Sequence, residues 1–158
     1  MIAFIIALIL SLYLTSDILS MLKAFNSEID KINDAVEKGE LKVRGDPGKL
    51  HFEFQPLLVG MNKTVDSIVK PLNLAAEYVD MISRGDMPGK ITENFQGDFN
   101  KIKNNINILI DAMNSITQTA REIANGNLTT KVTERSDKDE LMRAIATMSK
   151  ALSGMIHE

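Results

Sequence analysis

The residues able to do acid–base or metal chemistry are few and scattered. His51 and His157 are the only histidines among 158 residues, and they lie far apart in sequence. A phosphate-accepting histidine needs a helical, acidic setting. His51 sits instead in a stretch flanked by Pro47, Gly48 and Pro56, and His157 is the penultimate residue. Cysteine is absent, so disulfides and thiolate metal sites are excluded, and a reducing compartment fits. Asp137, Asp139 and Glu140 bring carboxylates together, yet their spacing lacks the ligand set of a calcium loop and suits a helix cap. Arg44-Gly45-Asp46 and Arg84-Gly85-Asp86 spell an adhesion tripeptide, but both read as turns with charged neighbours. Asn62-Lys63-Thr64 and Asn127-Leu128-Thr129 match a glycosylation pattern that only a secreted chain would use. No glycine loop suited to a phosphate occurs. The expectation is a protein that is not an enzyme, with no catalytic residue, cofactor, metal or small-molecule ligand.

What remains is packing and charge. The net charge of −3 argues against nucleic acid, which needs a concentrated basic face. Ile2 to Leu14 is apolar apart from Ser11, and no charge appears before Asp17. A bilayer needs about 20 apolar residues, so residues 1–16 read as part of a transmembrane helix and imply the lipid bilayer as a partner. Neither a basic n-region nor a small-residue cleavage site marks a signal peptide. Lys23, Lys31, Lys38, Lys42 and Arg44 follow, which by the positive-inside tendency puts the rest in the cytoplasm, on the inner membrane.

Beyond the apolar segment the chain repeats itself. Gly39-Glu40-Leu41, Gly85-Asp86-Met87 and Gly126-Asn127-Leu128 each end an apolar helical pattern, at intervals of 46 and 41 residues. Glycine closes helices because it takes the left-handed conformation without a Cβ penalty. A polar connector follows each. Then an acidic residue stands before a large apolar one: Glu53-Phe54, Asp98-Phe99 and Glu140-Leu141, at 15, 14 and 15 residues from glycine to apolar residue. With Asp139, these acids suit helix starts, where they accept orphan N–H bonds and complement the dipole. From there the helices align without gaps: Met61-Asn62 with Ile106-Asn107 and Met148-Ser149, then Val65 with Ile110 and Leu152. Leu41, Met87 and Leu128 form one set of connector anchors, and Val43, Ile91 and Val132 a second. Val43 comes two residues early, where Gly45-Asp46-Pro47-Gly48 intrudes, so the first connector has its own path.

The periodicity sets the assembly. Ile18, Leu22, Phe25, Ile29, Ile32 and Val36 form a heptad seam directly after the apolar segment. Phe99, Ile102, Ile106, Leu109, Met113, Ile116, Ala120 and Ile123 continue unbroken, so the second helix of one module runs into the first helix of the next. The remaining bundle core is Phe54, Leu57, Met61 and Ile68; Leu72, Ala75, Val79 and Ile82; then Leu141, Ile145, Met148, Leu152 and Met155. Two helices with narrow seams bury little, and a parallel homodimer giving four helices per module is the simplest remedy. Thr64, Pro71 and Tyr78 fit one heptad and Val65, Leu72 and Val79 another, one residue along, so a modest rotation would exchange them.

Pro71-Leu72 opening a helix, Gly85-Asp86-Met87 closing it, then Asp98-Phe99 and Ile106-Asn107, resemble a HAMP domain. Gly126-Asn127-Leu128 with Asp139-Glu140-Leu141 is similar. The family's glycine after the acidic-acidic-apolar triplet is replaced by Gln55, Asn100 and Met142, and its opening proline occurs only at Pro71. The resemblance implies an all-α fold of parallel homodimeric four-helix bundles in tandem: residues 17–70 as linker helix and first module, 71–114 as second and 115–158 as third. It further implies a relay from a sensor segment to an output domain. Tandem arrays look most like chemoreceptor-type transducers; a sensor histidine kinase, a cyclase or a purely structural tether are the other readings. Missing sensor and output domains of the same chain are the expected partners. Ile156-His157-Glu158 carries no cap, which suggests a helix running on.

Overall fold

The computed structural model describes residues 1–156. Regular structure among them is entirely helical: α1 (Ile2–Glu37), α2 (Gln55–Ser83), α3 (Gly97–Ala124) and α4 (Glu140–Ile156), with one 3-10 turn at Pro47–Lys49. The fold is all-α. The chain divides into two compact units, residues 1–73 and 74–158, and the division falls within α2.

In the first unit, α1 runs from the apolar segment through the first heptads because no proline or glycine interrupts it before Gly39. Its N-terminal part holds an 18-residue window of mean hydropathy 2.3, none of it buried. It is the one described helix long and apolar enough to cross a membrane. Farther along, Ile32 packs with Leu50 and Leu58, flanked by Phe25, Phe54, Met61 and Val65. The Phe25 and Phe54 rings lie 5.9 Å apart at 44°. This small core therefore joins α1, the first connector and the start of α2.

The second unit repeats the arrangement twice around α3. Ile91 from the second connector packs with Ile106 and Ile110 of α3, against Leu74, Ala75, Tyr78 and Ile82 of α2 and Phe95. Ile123, Met142 and Ile145 form the third cluster, with Ile116, Leu128, Val132 and Leu152 around it. Each core is thus made by the end of one helix, a connector and the start of the next.

The heptad positions behave differently from expectation. At several places the residue beside the heptad position is the buried one. Leu58 is 0% exposed where Leu57 is 57%, and Val69, Ala35 and Met142 are buried where Ile68, Val36 and Leu141 are exposed. Ile110 is buried where Leu109 is half-buried. Leu72, Val79, Ile102, Ala120, Met148 and Met155 are exposed too. Ile29, Phe99 and Met113 are half-buried, while Ile32, Ile106, Ile123 and Ile145 are buried. The reason is geometric. Within one chain, two helices share a connector and bury the flank turned toward it; the neighbouring residue, about 100° round the helix, stays open.

Pro71 is a second correction. It lies buried inside α2 and opens no helix. Having no N–H, it leaves the Ser67 carbonyl without its helical donor.

Candidate functional site

The three turn glycines close their helices with the same hydrogen bonds. Gly39 N donates to the Val36 carbonyl at 3.0 Å and Glu40 N to that of Ala35 at 2.7 Å. Gly85 and Asp86 bond to Ile82 and Met81, and Gly126 and Asn127 to Ile123 and Glu122, each at 3.0 Å. This is the Schellman motif, which needs a left-handed residue; the three glycines have φ of +76°, +80° and +85°. Leu41, Met87 and Leu128 follow, all half-buried.

The connectors are then held by polar side chains from the following helix. Asn62 accepts from Gly45 N at 3.0 Å and donates to the Gly45 carbonyl at 2.8 Å. Asn107 treats Ile91 alike, at 2.8 and 3.1 Å. A side-chain amide has a donor and an acceptor side by side, so it can pair with both polar groups of one backbone residue. Gly45 and Ile91 each stand six residues after their turn glycine, so the two grips are equivalent. In the third copy Ser149 occupies the asparagine's place, and its hydroxyl donates to the Leu128 carbonyl at 3.4 Å.

The first connector carries an additional polar latch from α1. Buried Glu28 accepts from Asp46 N at 2.9 Å, with Lys49 Nζ 3.4 Å and Lys31 Nζ 3.6 Å from its carboxylate. Lys31 also donates to the Arg44 carbonyl at 3.0 Å. Asp46 caps the Pro47–Lys49 turn through Gly48 N. That turn carries Leu50 into the core, so Leu50 is the buried anchor where Val43 was expected; Val43 is half-buried outside the cluster.

The acids expected at helix starts fare unequally. Asp139 is buried and caps α4 by accepting from Met142 N at 3.3 Å. It also accepts from Arg135 N at 3.0 Å and from the guanidinium at 2.6 and 2.8 Å. The Arg135 bonds hold its carboxyl far below the ordinary aspartate range. Glu140 stands exposed in the first turn of α4. Asp98 is in the first turn of α3, but it is exposed and pairs with Lys101 at 2.7 Å, while Gln96 takes the cap position. Glu53 precedes α2 and lies 3.9 Å from His51 without capping it. The helix start is closed instead by Phe54 N and Gln55 N donating to the His51 carbonyl. The His51 ring lies tilted against that of Phe52, with ring centroids 4.5 Å apart and the planes at 45°; His157 lies outside the described residues.

Glycine turns, gripped connectors and helices shared between successive cores recur along the chain. Residues 49–115 match a HAMP-domain family, and residues 106–153 match a second HAMP-domain family. The chain contains a HAMP-domain region. The two matches overlap within α3, and α1 with its Gly39 turn lies before both. HAMP domains imply a signal-transduction relay in membrane sensor proteins, and the long apolar α1 fits a membrane-anchored chain. No solved structure matches the chain.

The sequence aligns Asn62 with Asn107 but shows no role for the pair. Identical amides at equivalent places in two aligned helices were the available signal. Glu28 had none, because its partners arrive only with the path of the first connector.

Proposed function

We propose that this chain is the relay region of a chemotaxis-type membrane transducer, working as a parallel homodimer. The bilayer-spanning part of α1 lies in the inner membrane, with the HAMP modules in the cytoplasm. The observation that carries the reading is the open heptad seam. Leu72 and Val79 on α2, and Leu141, Met148 and Met155 on α4, stay exposed at intervals of seven residues. An apolar stripe of that period fits a second, parallel copy. Beside Met148, an apolar groove of about 390 Å³ formed with Ala120, Ile123 and Leu128 remains free. The tandem arrangement favours a chemotaxis-type transducer, and the sensor and output segments of the same chain are the partners at either end. A tether alone would not need three helix reversals, each of which adds ordering entropy without length.

In this reading the chain does no chemistry. Signal passes as a change of packing: the seam residues Val65, Leu72 and Val79 trade places with Thr64, Pro71 and Tyr78 as α2 turns. Since the chain has no native cysteine, single cysteines at Leu72, Val79 and Met148 report the seam directly. In membranes each should form a disulfide with its own copy, because like positions of a parallel seam come within the roughly 4 Å Cβ separation a disulfide needs. Stronger cross-linking at the exposed Lys63 or Glu77 than at these three would overturn the parallel seam. For the output, fusing chemoreceptor signalling helices after α4 should yield stimulus-dependent kinase control; constitutive output independent of Gly85 and Gly126 would argue for a spacer.

A further inference from the structure

Beside each asparagine grip lies a second tie in the first two connectors. One helical turn after Asn62 and Asn107 stand Asp66 and Asp111, at i+4 on the same face. The residue just before the gripped one is a cation in each connector, Arg44 or Lys90. Arg44 Nε and Nη2 donate to Asp66 Oδ1 at 2.8 and 2.7 Å, and its Nη1 donates back to the Leu41 and Val43 carbonyls at 2.7 and 2.6 Å. Lys90 Nζ lies 2.8 Å from Asp111 Oδ2. The third copy keeps the cation, Lys131, but Ser153 stands where the aspartate should be, as Ser149 stands where the asparagine should be. Arg135–Asp139 and Arg143–Glu134 fasten only the far end of that connector to α4. Toward α4, its near half rests on the apolar contacts of Leu128 and Val132 and the 3.4 Å bond from Ser149, at the outer limit of hydrogen-bond length; the side-chain bond from Asn127 to Glu122 runs back to α3.

We propose that Asp66 and Asp111 are positioning residues which, with Asn62 and Asn107, hold the first two connectors at adjacent residues, and that the third connector is the one built to let go first. The two ties reinforce each other. Once the amide grip is closed, the cation and carboxylate are already neighbours, so the ion pair forms at high effective concentration. An exposed pair is weak by itself, and both Asp66 and Asp111 side chains are more than half exposed. Each aspartate therefore adjusts a grip that the amide establishes. In the third module neither element is present, so the near half of that connector parts from α4 without breaking a charged or bidentate contact.

The test is amide hydrogen exchange on the full chain in lipid nanodiscs, read residue by residue, and it does not depend on the relay reading. Gly45 and Ile91 N–H should exchange about tenfold or more slowly than Val132 N–H. Asp111→Asn should speed exchange at Ile91 about two- to fivefold and leave Gly45 unchanged, with Asp111→Glu restoring part of the protection. Raising salt from low to molar concentration should speed Ile91 in the unmodified chain and have no further effect on Asp111→Asn. Joint Ser149→Asn and Ser153→Asp replacement should slow exchange in the third connector toward the rate of the second. Unchanged Ile91 exchange in Asp111→Asn overturns the proposal, as does third-connector exchange slower than that at Ile91 in the unmodified chain. Asp111 is an exposed side chain, so its replacement leaves the fold in place and the outcome readable even if the double graft fails to fold.

Discussion

Gly45→Ala is the most informative single change in the first unit. Gly45 is buried and its φ lies outside the left-handed region, so alanine meets no backbone penalty there. By chain entropy alone the change would stabilise by about 0.4–1 kcal/mol. The added Cβ, however, would lie 2.6 Å from Leu58 Cδ1 and 3.0 Å from both Cδ2 and Cγ. Ordinary carbon contacts are about 3.5–4.0 Å, and Leu58 is fully buried, so it cannot swing into solvent. Overpacking of this kind costs about 1–3 kcal/mol. The net expectation is a loss of about 0.5–2 kcal/mol, or a few degrees in Tm. Thermal unfolding of the full chain, followed by circular dichroism, measures it. Leu58→Val opens room for the methyl group, so Gly45→Ala combined with Leu58→Val should be more stable than the sum of the two single changes, by about 1 kcal/mol. Gly39→Ala supplies the contrast: its new Cβ meets nothing within 4 Å, and its cost of about 1–2 kcal/mol is purely that of φ +76°. Leu58→Val should not relieve it. A Gly45→Ala chain as stable as the unmodified one, or strict additivity with Leu58→Val, would refute the close approach of connector and helix.

Other changes test other parts of the molecule. Gly85→Val places a β-branched residue at φ +80° and should destabilise the second turn by more than Gly85→Ala does, measured by Tm and by loss of stimulus-dependent output in a receptor carrying it. Ile110→Ala removes a side chain 1% exposed at the centre of the second core, for a loss of about 2–5 kcal/mol in chemical unfolding. Asp139, whose carboxyl titrates below the ordinary aspartate value near 3.8, contributes stability present above that value and lost as pH falls below it. The stability difference between the unmodified chain and Asp139→Asn should therefore be large at pH 7 and shrink on acidification to pH 3; a difference independent of pH would contradict the Arg135 pairing. Asn107→Ala should free the Ile91 N–H and carbonyl and cost about 1–3 kcal/mol in the same unfolding assay.

The helices, their ends and the repeat were legible because each is a local matter. Apolar residues at three- and four-residue spacing make a helix wherever they occur, and a glycine at the end of such a run supplies the left-handed turn from its own backbone. Gly39, Gly85 and Gly126 close their helices as that rule dictates. The Asp139 cap follows from the same local logic; Glu53 does not obey it, because backbone carbonyls in the preceding turn already satisfy the start of α2. The separate path of the first connector shows in the sequence only as the irregularity at Gly45-Asp46-Pro47-Gly48. That Leu50 rather than Val43 reaches the core depends on the Asp46-capped turn and on Glu28 of α1 meeting it.

By itself the sequence determined the helical rods, the reversals between them and the apolar stripe that runs along each rod, all consequences of side-chain period and backbone freedom. Only the tertiary structure decided which of two adjacent apolar residues each helix turns toward its own chain: Leu58 over Leu57, Val69 over Ile68, Met142 over Leu141. Neighbours one residue apart are equally greasy and about 100° apart on the helix, so hydrophobicity cannot choose between them. The choice falls to the connector, whose position is fixed by long-range bonds such as Asn62 to Gly45 and Asn107 to Ile91.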